Sequence, residues 1–163
     1  MIEPIPRYQP DDLESWHPKL RRILSYWQRI HPPRGLPGRQ HVDPVAIGDL
    51  LPGLWLLDLQ REPFRMRYRL VGTRIVEAIG QDATGMWFEE AHPHIANWTE
   101  ALERFRLVAE TGRPSRRRGP ALFWSHRDYR EIENVVLPLA ADGINVDMLM
   151  VLTVVYLADG TSR

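Results

Sequence analysis

From Arg65 to Leu70 the chain reads "RMRYRL", an arginine at every second position with Met66, Tyr68 and Leu70 between them. A period of two is a strand pattern, because successive side chains leave a pleated backbone on opposite sides. One face of this strand must be solvated and the other buried, an arrangement typical of antiparallel sheets. "LWLLDLQ" (Leu54 to Gln60) lies just upstream, with "REPF" between the two runs. Together they predict a β-hairpin, and the remaining elements must cover its apolar face.

The flanking segments supply that cover. Leu13, Trp16, Leu20, Ile23, Leu24, Trp27 and Ile30 place one broad apolar stripe on an N-terminal helix, which "HPPRGLPG" ends. "HVDPVAIGDLLPG" predicts a short second helix, with Asp43 as N-cap, Pro44 in the first turn, and Pro52 and Gly53 as the stop. "RIVEAIG" and "MWFEEA" are short helical pieces. A longer helix is expected from about His94 to Thr111, with Gly112 after its end. "RPSRRRGP" reads as a polar loop. "ALFWSHR" and "REIENVVLPLA" read as strands joined by a tight turn near Asp128. "ADGIN" carries an Asp-Gly turn signal, and "MLMVLTVVYL" is apolar on both faces, as a central strand is. Strands with helices clustered in one central crossover give an α+β domain. The expectation is a five-stranded antiparallel sheet with helices on one face, preceded by the N-terminal amphipathic helix. The division is 1–42 for arm and helix and 43–160 for the domain.

This order resembles the PAS sensor domain, and most closely a family of short bacterial proteins with one PAS-like domain after an N-terminal helix. The resemblance rests on "LRRILSYWQRI", "DPVAIGDLLPGLWLLDLQ", "FRMRYRLVGT", "GQDATG" and "YREIENVVLPLAADG", and spans about Leu13 to Leu157. It implies a sheet curled around a small pocket that the helices close. It also implies a non-enzymatic sensory or protein-interaction module, but names no ligand, since one fold hosts many functions. In such a fold the elements carrying Tyr68, Trp98, Phe105 and Trp124 surround the pocket, so these aromatics either line a ligand cavity or fill it. His126 and Arg130 are candidate polar ligand contacts, with Ser125 and Asn134 beside them.

Catalytic and cofactor motifs give little support to other classes. In "GQDATG" (Gly80 to Gly85) the spacing departs from dinucleotide loops, there is no lysine for a P-loop, and Ala83 interrupts an Asp-Thr-Gly protease triplet. Each residue suits a turn instead: Gly80 ending a helix, Asp82 and Thr84 bonding local backbone, Gly85 allowing a bend. The chain lacks cysteine, which excludes disulfides, thiolate nucleophiles and a cysteinyl-flavin adduct. His92 and His94 form a His-x-His beside a proline, which has no fixed ligand geometry and reads as a surface loop. Between Ile95 and Thr111 there is no histidine to ligate haem, so no metal or cofactor is assigned. An alternative is a small acid/base enzyme, hydrolase or isomerase, using His126, Asp128 and Glu131 or Glu133.

The 21 basic and 21 acidic residues cancel, so no general attraction to nucleic acid or an anionic membrane is expected. Arg116 to Arg118 alone supply few phosphate contacts. The start of the chain lacks a secretory pattern, and the longest apolar run is half a membrane span, so the expected location is the cytoplasm. With no length left for an effector domain, output is expected through a separate signalling protein. The wide stripe of the N-terminal helix suggests a homodimer.

Overall fold

The computed structural model describes residues 8–93, 98–121 and 129–163, apart from the side chains of residues 98 and 99. β1 (Leu54–Gln60) and β2 (Arg65–Val71) form the expected hairpin, with Leu57 opposite Tyr68. A register shift between Leu56 and Leu57 sets Leu56 opposite Leu70 and Trp55 opposite Val71, so Leu70, expected on the buried face with Met66 and Tyr68, is exposed instead. β4 (Tyr129–Leu139) and β5 (Met148–Leu157) pair along nearly their whole length. Their turn is held by Asp142, whose carboxylate accepts the Ile144 and Asn145 N–H groups at 2.8 and 2.7 Å. The five antiparallel strands run in the order β2-β1-β5-β4-β3, so apolar β5 is central. The α+β expectation holds.

The third strand corrects the sequence reading. β3 is Ser115–Gly119, the arginine run itself, paired with β4 at the sheet edge. "ALFWSHR", expected to be this strand, falls almost wholly outside the described residues. An arginine run has no alternation of its own. It becomes a strand because β4 supplies diagonal carboxylates: Arg118 reaches Glu131 at 2.7 Å and Arg116 reaches Glu133 at 3.3 Å. A charged edge strand also discourages pairing with other chains.

The second expected helix is corrected too. Asp43 Oδ1 accepts the Val45 N–H in a local turn, and only Gly48–Gly53 winds, as a 3-10 helix with Pro52 inside it. Of the long helix, α4 (Trp98–Thr111) lies within the described residues, and Gly112 (φ 66°) ends it. α2 (Thr73–Ile79) and α3 (Phe88–Ala91) stand where the sequence put them. "GQDATG" is the shaped turn expected. Gly80 caps α2 at φ 88°, and Asp82 Oδ1 accepts from Thr84 N–H and Oγ1–H. The Gly85 N–H then ties the turn to the Tyr68 carbonyl on β2 at 2.8 Å.

The two faces of the sheet have different covers. Strand alternation and register put Trp55, Leu57, Tyr68, Asn134 and Thr153 on an inner face, met by α2, α3 and α4. Leu54, Leu56, Glu133 and Leu152 point to the outer face. There α1 (Pro18–Arg29) lays down Leu20, Ile23, Leu24 and Trp27, all buried. Each such side chain contributes about 1.5–3 kcal/mol by leaving water. The stripe that suggested a second copy is therefore covered within one chain.

His17 caps α1 in a way that depends on pH. Its Nδ1 accepts the Lys19 N–H at 3.1 Å, so the ring proton sits on Nε2, 3.1 Å from Ser162 Oγ. Partial burial, opposed by the Glu133 charge, holds the His17 pKa below its ordinary 6.5. The folded state thus favours the neutral ring, and its stabilisation is present above pH 6.5. It is lost as the pH falls from there through the lower folded value, because the unfolded chain takes the proton first. Urea midpoints between pH 7.5 and 5 are expected to fall more steeply for the natural chain than for His17→Asn, which caps without titrating. Parallel curves would show that the ring does not act as the cap.

Candidate functional site

The inner face carries a layer of aromatic rings between sheet and helices. β1 contributes Trp55, β2 Tyr68, α3 Phe88 and α4 Phe105. Tyr68 stacks on Phe88 with ring centroids 5.7 Å apart, and Phe105 meets Trp55 and Phe88 edge-on at 6.1 and 6.0 Å. Such offset and edge contacts suit the ring quadrupoles. Helical spacing decides which α4 residues face the sheet: Phe105, Val108 and Ala109 are buried while Leu107 is exposed.

Polar groups are set into this layer in pairs. The Tyr68 hydroxyl lies 2.6 Å from His92 Nε2, and both residues are buried. Burial raises the Tyr68 pKa, so the phenol keeps its proton at neutral pH. The Trp55 indole N–H donates to Thr153 Oγ1 at 2.9 Å. Further toward the β3 edge, Arg104 of α4 reaches Ser115 and Asn134. Burial, with the nearby Arg117 charge adding to it, lowers the Arg104 pKa to about 10.

The structure brings Tyr68 and Phe105 together, through Trp55 and Phe88. Arg130 is exposed where the β4 register shifts, away from the aromatic layer. The Trp98 side chain, Trp124 and His126 lie outside the described residues. Three members of the layer went unrecognised in the sequence: Phe88, inside the short helical piece "MWFEEA", His92 and Trp55. His92 was read as a surface residue, yet it is 4 % exposed because the turn after α3 folds it under Tyr68. Trp55 shares with Leu57 the inward parity of β1, a signal the apolar run "LWLL" obscures.

Two hollows, of about 480 Å³ beside α1 and about 370 Å³ beside Phe64, lie outside the aromatic layer, whose rings pack against one another. Of the acid/base alternative, Glu131 and Glu133 sit at the outer face, engaged by Arg118 and Arg116. His126 and Asp128 fall outside the described residues. No group of three metal-ligating side chains occurs among the described residues, and no described helix is long and apolar enough to cross a membrane.

A search among curated proteins found no relative. A family model described as a PAS domain matches residues 15–149, which includes α1, the sheet hairpin, the helical crossover, β3 and β4. By that match and by its five-stranded antiparallel sheet with helices set against it, the chain belongs to the PAS domain family.

Proposed function

We propose that this PAS domain is a sensory module that takes a small ligand between the inner sheet face and α3 and α4, and hands its signal to a separate protein. One observation carries the reading. Polar pairs, Tyr68 with His92 and Trp55 with Thr153, are set inside a layer that is otherwise aromatic and aliphatic. Apolar walls with a few placed polar groups are what small-molecule sites are made of. The rings now fill the layer, so entry of a ligand moves the helices against the sheet. A ligand that binds the shifted arrangement better populates it, and that shift is the signal. Because the stripe of α1 is buried against the outer face, it gives no argument for a homodimer, and the proposal carries none.

Native mass spectrometry of the purified chain, followed by thermal melting against a metabolite library, tests this. The expected result is a co-purified non-covalent mass, or a compound that raises the melting temperature of the natural chain but not of Tyr68→Phe. Unloaded protein with no thermal response to any compound would reduce the module to a protein-docking scaffold.

A further inference from the structure

Several arginines of this sheet have acids beside them. Arg116 meets Glu133, Arg118 meets Glu131, and Arg65 on β2 pairs with Glu89. Arg104 is different. Its Nε–H donates to Ser115 Oγ at 2.9 Å, one Nη1–H to Asn134 Oδ1 at 2.8 Å, and one Nη2–H to the Ser115 carbonyl at 2.8 Å. All three acceptors are neutral, and among the described residues no carboxylate forms an ion pair with Arg104. Arg117 stands on the same inner face, opposite Asn134 in the register, and adds a second positive charge. Acids and bases balance over the whole chain, so this excess is a property of the place and not of the composition.

A guanidinium taken out of water is costly unless an opposite charge compensates it. If Arg104 served only to tie α4 to β3, a neutral amide would make similar hydrogen bonds at lower desolvation cost. A guanidinium has five N–H groups, and the three bonds leave one on each terminal nitrogen. Two donors on adjacent nitrogens are what a carboxylate or phosphate accepts in bidentate fashion. The geometry points to a small-anion site between α4 and the β3–β4 edge, where Arg104, with Arg117 beside it, receives the oxyanion of a carboxylate- or phosphate-bearing ligand. This rests on the ligand-binding reading above and narrows it to a chemical class.

The test is thermal melting of the full chain in low salt with citrate, with inorganic phosphate, and with chloride at matched ionic strength. Citrate or phosphate is expected to raise the melting temperature above the chloride control. A response to citrate alone assigns a carboxylate, and a response to phosphate alone a phosphate. Arg104→Gln, which can still bond Ser115 or Asn134, is expected to weaken anion binding about tenfold or more. Arg104→Lys should restore part of the response. Arg117→Gln, a milder change, should weaken it and covers the case in which Arg104→Gln does not fold. Equal responses in the natural chain and in the arginine variants would overturn the proposal. So would the absence of any shift beyond chloride. A neutral co-purified molecule that Arg104→Gln retains would leave the ligand reading standing and remove the anion. A lack of both bound mass and anion response would remove both.

Discussion

Glu133→Ala is expected to cost about 3–5 kcal/mol of folding stability, the range for removing one partner of a buried charge pair. Glu133 is fully buried on β4, yet three donors from three places converge on its carboxylate. The His17 N–H at the start of α1 approaches to 2.9 Å, the Tyr156 hydroxyl on β5 to 2.8 Å, and Arg116 on β3 to 3.3 Å. Removing the carboxylate leaves Arg116, 18 % exposed, only the longer pair with Asp12 at 3.9 Å, and frees the first backbone donor of the α1 cap. Burial first, and then the bond to Glu133, push the Tyr156 pKa up to about 12, so the phenol remains a donor throughout the neutral range. Urea denaturation monitored by tryptophan fluorescence measures the loss. Glu133→Gln should lose less, since its amide oxygen can still accept one or two of these bonds. A loss below about 1 kcal/mol for the alanine variant would place the pair with ordinary surface ion pairs and refute a buried hub.

Trp27→Ala comes second, with an expected loss of about 3–5 kcal/mol. Trp27 is 3 % exposed, lies across the outer face, and donates its indole N–H to the Pro138 carbonyl at 2.9 Å. The alanine variant loses both the ring's packing and that bond, and leaves a cavity that rigid β4 and β5 cannot close. Trp27→Phe keeps much of the area and should lose mainly the hydrogen bond together with some packing. If α1 were only an appendage, Trp27→Ala would leave the main unfolding transition in place and remove a small separate one. A single cooperative transition, shifted to lower urea, is the expected result, because α1 packs on the outer face of the two longest strands, β4 and β5.

The elements that could be read along the chain are those whose signal is local. The alternation from Arg65 to Tyr68 needs only the strand period, which the bulge then breaks at Leu70. The stripe from Leu20 to Trp27 needs only the helical period, and the Asp142–Gly143 turn needs only its own residues. β3 escaped because three adjacent arginines hold no pattern until Glu131 and Glu133 stand opposite them. The winding at Gly48–Gly53 escaped because Asp43 makes the same first hydrogen bond in a turn as in a helix cap. Arg130 is a candidate polar contact in a strand whose facing the sequence leaves open, and the register shift at the start of β4 leaves it exposed.

Half of the candidate site was visible for the same reason. Tyr68 follows from the parity of its strand and Phe105 from the stripe of its helix. His92 does not, since its burial depends on a turn that carries it beneath a ring 24 positions earlier in the chain. The sequence by itself determined which side chains leave water together and where the chain must turn, because hydrophobic period and turn chemistry act over a few residues. The tertiary structure alone decided that α1 covers the outer face, that the arginine run becomes an edge strand, and that Arg104 has neutral partners where Arg116 and Arg118 have acids. Those outcomes are set by charges and surfaces far apart in the chain, which meet only when the sheet has formed.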